Sequence, residues 1–444
     1  MSFAKQFVSS IDANRTVKDE LGEAVGKQRA RRRISVTDLV NLRQAFFRWT
    51  RPDIQPAPER LQLILSGTGF HELFGKLVST EEYVEQFVEY NEIVGRIDIY
   101  DDVPTELKTT GFIPEDIHGE RPGYVDQLGM YCAMTGRASG RLVVYKRARY
   151  GLAPTLKVFE IAYNDLESIA HEMIRRRDSL RKALDTLKAS ELPRCEWFEL
   201  GCDYREICGC ESAAPLGRLV GREGAQIVES QTLADSFDKY VRREPSLDPA
   251  FKLNDLVFPR RTAFAHKATE DDESVPVVDP AIEVQLARLE RRGFSGALFG
   301  AIRFGIPGAF SRMPVQLRSL TGWVNTYRGT PTILRTSKFR EMVERARLAD
   351  GFPHYIDRLA FECALTGREF GRVVVYYEQL QGDKFMVYDV AFGGLDKIRA
   401  EADRRLQLLE AGADPKELPP CPKWMSKFCD FAPACGCGGE AAHR

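Results

Sequence analysis

The sequence predicts an α/β protein of two tandem units, each with a central mixed β-sheet flanked by helices and each ending in a cysteine-rich metal site. Three observations lead there: strand-like alternation set among helix-like stretches, a block-by-block internal repeat, and two matched groups of four cysteines. At 444 residues the chain is too long for one ordinary core. Hydrophobic residues at 43% and charged residues at 29% make a soluble, globular balance. No segment reads as a membrane span or a secretory signal, so a cytoplasmic protein without a membrane partner is expected.

The repeat organises the chain. TGRASGRLVVY at 135–145 recurs as TGREFGRVVVY at 366–376, and YVDQLGMYCAMTG recurs as YIDRLAFECALTG. PTELKTTGF at 104–112 returns as PTILRTSKF at 331–339, and ELPRC at 191–195 returns as ELPPC at 417–421. The order is the same in both halves and the separation nearly constant, as tandem duplication produces. The boundaries that follow are an N-terminal extension at 1–32, a first unit at 33–212, a linker at 213–249 and a second unit at 250–438.

In the first unit the pattern predicts a helix opening at SVTDLVNL, a helix around His71, and a β-hairpin over GRIDIYDDVPTELKTT. A helix over 124–135 follows, then strands at 141–145 and 156–161, then a long helix over 165–189. The hairpin rests on Ile97 and Ile99 alternating with polar neighbours before an Asp-Asp-Val-Pro turn.

That hairpin places Asp98 on one strand and Glu106 with Lys108 on the next. Residues two apart on a strand share a face, so Glu106 and Lys108 project together, and the turn can bring Asp98 beside them. Two converging carboxylates suit Mg²⁺ or Mn²⁺, with positions left for water and a phosphate oxygen. Lys108 can position the attacking water, or deprotonate it if burial and nearby cations depress its pKa. His71 reads either as an imidazole ligand or as a capping or core residue. Gln127 and Tyr131 stand four apart, so a helix stacks them on one face, where they can meet DNA or brace the site.

In this order and spacing, His71, Asp98, Glu106 with Lys108, and Gln127 with Tyr131 resemble the RecB-like branch of the PD-(D/E)xK nucleases, including the iron-sulfur CRISPR adaptation nucleases. The resemblance covers most of the first unit. It implies a restriction-endonuclease-like fold and a metal-dependent DNA nuclease, exo- or endonucleolytic, with a preference for single strands or ends. It makes His71, Asp98 and Glu106 metal ligands, and Asp98, Glu106, Lys108, Gln127 and Tyr131 the catalytic set. The alternative is a non-catalytic DNA-binding or adaptor protein with metal-stabilised nuclease-like folds. Partnership with a helicase or with CRISPR adaptation proteins is neither supported nor excluded by the sequence. No Walker phosphate loop is present.

In the second copy Asn325 stands for Asp98, Ile333 for Glu106 and Arg335 for Lys108. Arg358 and Glu362 occupy the Gln127 and Tyr131 positions, and Ser295 or Gly296 falls where His71 would be. With both carboxylates gone and a permanent cation present, the copy is expected to be a degenerate site. Arg335 and Arg358 could still contact DNA phosphates.

Eight of the ten cysteines form the tetrads: Cys195, Cys202, Cys208 and Cys210, then Cys421, Cys429, Cys435 and Cys437. In a chain without a secretory signal, metal ligation is a better reading than disulfides. Four thiolates suit a [4Fe-4S] cluster or tetrahedral Zn²⁺, and spacing does not separate them. The resemblance favours two iron-sulfur clusters. It also implies one ligand in the first helix, but SVTDLVNLRQAFF has no cysteine. Cys132 and Cys363 read as small buried hydrophobes. The 63 basic residues barely fail to balance 64 acidic ones, so nucleic-acid contact must be local, as at the basic runs 27–33, 175–181 and 260–261.

Overall fold

The computed structural model describes residues 2–27, 33–148, 152–195, 202–242, 250–269, 281–422, 425 and 429–435. The chain forms two compact units. The first comprises residues 26–243 with 281–298, and the second comprises 1–25, 244–280 and 299–444.

The first unit is built on a six-stranded sheet. Its strands are β2 (Val84–Tyr90), β3 (Ile93–Tyr100), β4 (Pro104–Thr110), β5 (Ser139–Lys146), β6 (Thr155–Tyr163) and β7 (Ala225–Glu229), in that spatial order. With β1 taken as Val8–Ala13, the second unit continues with β8 (Phe310–Leu317), β9 (Leu320–Tyr327), β10 (Thr330–Ser337), β11 (Phe370–Tyr377) and β12 (Phe385–Phe392). Its order is β1-β12-β11-β10-β9-β8. In each sheet one pair is parallel, β4 with β5 and β10 with β11, because a crossover helix joins them. That helix is Pro122–Thr135 in one unit and Pro353–Thr366 in the other. Proline opens both helices, where its missing N–H is not needed, and a glycine closes both. Gly136 and Gly367 take φ of 68° and 67° and donate their N–H to the carbonyls of Cys132 and Cys363, so the repeated Thr-Gly is a helix stop.

The sixth strand of each sheet comes from outside the repeat boundaries read from the sequence. Residues 213–249, expected to be a linker, supply β7 and the helix Gln231–Arg242 to the first unit. Residues 1–32, expected to be an extension, supply β1 and the helix Arg15–Val25 to the second. Both strands lie at a sheet edge with no residue fully buried, so neither carries the apolar alternation that reveals a strand.

Both faces of the first sheet are covered. Ile97, Leu128, Met130, Leu142, Val144 and Ile161 form one core with the helices Pro122–Thr135 and Leu166–Thr186. Phe70, Phe74, Leu107, Val143, Tyr145 and Val158 form the other, against the helices Pro58–Val78 and Gln231–Arg242 and the segment 281–298. Repeat-matched Gly-Phe pairs meet there. A Cβ on Gly69 would lie 1.9 Å from the carbonyl oxygen of Gly293, so only glycine permits this helix crossing. Tyr145 donates to Glu290 at 2.8 Å beside it. Residues 281–298, assigned by sequence to the second unit, thus pack in the first.

No described helix is long and apolar enough to cross a membrane.

Candidate functional site

Strand β3 pairs with β4 only at Ile99–Thr105 and Tyr100–Pro104, after which the two strands part. Into that gap Asp98 sends its carboxylate, whose Oδ2 accepts the Leu107 N–H at 2.7 Å where the ladder has lapsed. Ile97 packs in the core that includes Leu128, while Ile99 faces Gly75 of the helix Pro58–Val78, so β3 passes from one layer to the other at Asp98. Glu106 and Lys108 project together toward the helix Pro122–Thr135, as their spacing on β4 requires.

There they meet Gln127. Lys108 Nζ donates to Glu106 Oε1 at 2.6 Å and to Gln127 Oε1 at 2.7 Å, and Gln127 Nε2 donates to the same Glu106 oxygen at 2.7 Å. The closed triangle fixes all three side chains, and Lys108 also lies 5.4 Å from the centroid of Tyr124. Tyr131 sits one turn further along. Its hydroxyl donates to the Arg96 carbonyl at 3.0 Å and its ring fills the space above Gly95. Of the two roles open to it in the sequence, bracing β3 is the one its buried position fits.

From the helix Pro58–Val78, His71 brings Nδ1 to 3.6 Å from Asp98 Oδ1, while its Nε2 is buried without a hydrogen-bond partner. A buried imidazole nitrogen with nothing to bond is costly unless something occupies that position. The side chains of Asp98, His71 and Lys108 keep 20%, 23% and 17% exposure, so solvent reaches the cluster.

Burial, opposed by Lys108 and reinforced by Asp98, pushes the Glu106 carboxyl up to about 7. Burial acts on Asp98 too, but His71 and the Leu107 N–H outweigh it and hold that carboxyl below its usual value. Of two neighbouring acids, Asp98 carries the charge and Glu106 retains a proton toward neutrality. The condition for Lys108 to deprotonate a water, a depressed pKa, is not met here. Burial would lower its pKa, but the contact with Glu106 and the nearby Asp98 raise it, so the side chain is an ammonium. Of the two roles the sequence left open to Lys108, positioning as a cation is the one this direction favours.

The donor set of two carboxylates and an unpartnered imidazole nitrogen suits a divalent cation in its chemistry. As placed, no three His, Cys, Asp or Glu side chains among the described residues form a group ready to hold a metal ion.

In the second unit Ile333 is buried and Asn325 exposed. Arg335 is folded inward, donating to the Leu334 carbonyl at 2.8 Å and lying 5.8 Å from the centroid of Tyr355. Arg358 donates to Glu362 at 2.6 Å. Ser295 and Gly296 lie in the segment that packs with the first unit.

The first tetrad gathers beneath the helix Leu42–Thr50. Cys195, Cys208 and Cys210 are buried, and Cys195 Sγ accepts the Gln44 N–H at 3.2 Å. Burial, with Cys210 and Cys202 adding to it, pushes the Cys195 thiol up to about 12. Cys421 and Cys429 are free thiols, Cys435 is disulfide-bonded, and Cys437 lies outside the described residues. Cys132 and Cys363 are fully buried, as expected.

Sequence reasoning missed the arginines that tie the thiol loops down. Arg43 donates to the Leu192 carbonyl and, at 2.6 Å, to that of Cys208, and Arg260 does the same to the Leu418 carbonyl at 2.7 Å. Their signal was the repeat itself, which aligns Arg43 with Arg260. The runs read as basic patches are thus partly structural. Arg176 is fully buried, bonded to Glu172 and to the carbonyls of Leu39 and Gly217. Most of the run 27–33 lies outside the described residues.

No family model matches the chain. No curated protein matches it either. A solved structure described as "Crystal structure of SSO0001" is similar at 20% identity, over 44% of this chain and 93% of that chain, with a TM-score of 0.28. A likeness of that size carries no argument about function.

Proposed function

We propose that the first unit is a Mg²⁺- or Mn²⁺-dependent nuclease that hydrolyses DNA phosphodiester bonds. The observation that carries this reading is the convergence of Asp98, Glu106, Lys108 and Gln127 where β3 and β4 part, with His71 Nδ1 3.6 Å from Asp98 Oδ1. Asp98, Glu106 and His71 would hold the cation, which when bound supplies Lewis-acid polarisation of a phosphate oxygen and a more acidic water. Lys108 offers a fixed positive charge to the phosphate as negative charge builds on it. Gln127 holds Glu106 and Lys108 in register, and Tyr131 holds β3 against the helix. The second unit, lacking both carboxylates, serves as a scaffold.

One observation favours a second reading, in which the cluster is a structural network of a non-catalytic nucleic-acid-binding protein. Glu106 Oε1 already accepts two hydrogen bonds inside the protein. Incubating the protein and its Lys108→Ala variant with labelled single- and double-stranded DNA plus Mn²⁺ separates the two. Cleavage that needs Mn²⁺ and is lost in the variant supports hydrolysis, and equal activity in both removes it.

The pKa of Glu106 adds a pH dependence. Between its ordinary 4.5 and about 7 the folded protein keeps a proton that the unfolded chain has released, so this group's contribution to stability falls as pH rises through that window. A cation replaces that proton. The melting temperature is expected to rise more on adding Mn²⁺ at about pH 8 than at about pH 6. An equal rise at both, read by circular dichroism, would contradict Glu106 as a ligand.

For the first tetrad we propose metal ligation, a [4Fe-4S] cluster with Zn²⁺ as the alternative; in the second unit the disulfide at Cys435 removes one of the expected thiolate ligands. The proximity of Cys195 to Cys202 and Cys210, and of Cys208 to Cys210, supports it. Anaerobically purified protein is expected to contain iron and to absorb broadly near roughly 400 nm, and Cys195→Ser to lose metal and stability together. Zinc content without colour would select the alternative. Metal-free protein of unchanged stability would count against both.

A further inference from the structure

The block PTELKTTGF, which carries Glu106 and Lys108, ends in a phenylalanine, and so does its repeat PTILRTSKF. Neither ring is taken into a core, since Phe112 is 48% exposed and Phe339 49%. What differs between the copies is the residue that stacks on the ring. In the second unit Phe339, Phe352 and Tyr355 form a continuous stack, with centroids 5.3 and 4.9 Å apart and interplanar angles of 15° and 17°, and Arg335 stands 5.8 Å from the Tyr355 centroid.

The first unit repeats the ends of this column and changes its middle. Lys108 lies 5.4 Å from the Tyr124 centroid, as Arg335 does from Tyr355. Phe352 is the N-cap of its crossover helix, and the N-cap of the matching helix is Arg121, whose guanidinium carbon lies 4.7 Å from the Phe112 centroid. Phe352 is only 3% exposed, so the second copy closes its stack with buried apolar surface. The first copy gives up that burial for a charge, and an exposed cation–π pair returns little stability for it. The exchange occurs in the unit that holds the acidic cluster.

Its position is continuous with that cluster. Glu106, Lys108 and Thr110 share one face of β4, and Thr110 Oγ1 donates to the Phe112 carbonyl at 2.9 Å, which fixes the loop just past the strand. Four residues of chain place Phe112 at most roughly 14 Å from Lys108, Cα to Cα, a span that neighbouring nucleotides of one strand cover.

We propose that Phe112 is the stacking platform for an unpaired base of the substrate strand beside the reacting phosphate, with Arg121 backing the ring and supplying positive charge to the strand. The choice of DNA as occupant rests on the nuclease reading. A base within a duplex has both faces covered by its neighbours, so the pair selects single strands or opened ends.

Binding tests this apart from chemistry. Fluorescence anisotropy, with Ca²⁺ in place of Mn²⁺, compares a labelled oligothymidylate with an abasic strand of the same length and charge. The intact protein is expected to prefer the strand with bases, Phe112→Ala to reduce that preference by about tenfold, and Phe112→Trp to keep it. Arg121→Gln is expected to weaken both strands alike and to reduce the slope of log affinity against log salt by about one. The same preference in the intact protein and Phe112→Ala, or none in the intact protein, overturns the platform, and an unchanged salt slope overturns the part given to Arg121. Base preference without Mn²⁺-dependent cleavage would remove the nuclease reading and keep the platform, whereas cleavage without base preference would do the reverse.

Discussion

Glu106→Gln is expected to reduce Mn²⁺-dependent cleavage of labelled DNA by about a thousandfold, measured as an initial rate. The amide keeps the size and the contact with Gln127 but cannot carry the negative charge that a divalent ion requires. Asp98→Asn should match it, because Asp98 holds its charge in the gap between β3 and β4. Asn325→Ala, the equivalent position of the second unit, should leave the rate unchanged. A comparable loss there would mean that the second copy also works. Lys108 refines the picture. Its raised pKa makes it a cation rather than a base, so Lys108→Arg should retain more activity than Lys108→Ala. Equal loss in both would restore the general-base role.

The largest structural effect is expected at Gly69. A side chain there would be driven into the backbone of Gly293, where no rotamer offers escape, so Gly69→Val should lower the unfolding free energy by about 3 kcal/mol or more. Denaturant titration measures it. Gly296 supplies the control, since a Cβ at that position meets nothing within 4 Å and Gly296→Ala should be neutral or slightly stabilising. Equal behaviour of the two variants would contradict a backbone-to-backbone crossing at Gly69 and Gly293. The effect extends to the site. Displacing the helix Pro58–Val78 moves His71 away from Asp98, so Gly69→Val should also weaken the Mn²⁺-induced rise in melting temperature.

Much of this architecture could be read from the chain because the repeat supplies an internal comparison. The hairpin around Asp98 and Glu106 and the helix with Gln127 announce themselves through period and turn chemistry. The edge strands β1 and β7 do not, since half-solvated edges lack the apolar pattern that marks a strand. Nor does the placement of residues 281–298. What decides it is backbone contact at Gly69 and Gly293, and a glycine in a sequence says nothing about what approaches it.

At the site, strand periodicity foretold the partnership of Glu106 with Lys108. It did not foretell how Asp98 reaches them, because that depends on β3 parting from β4 and on a backbone N–H left for the carboxylate to cap. The charge state of Lys108 was left open by the sequence for a related reason. Burial and an adjacent carboxylate push an amine in opposite directions, and only the 2.6 Å contact with Glu106 decides between them.

Electron paramagnetic resonance of Mn²⁺ reads the divalent centre itself, free of any assumption about substrate. Titrated with the intact protein, the six-line signal of free Mn²⁺ is expected to fall until one ion is bound per chain, and to persist when Asp98→Asn and Glu106→Gln are combined. Equal binding by both proteins, or none by either, would contradict a hard-cation site where β3 and β4 part.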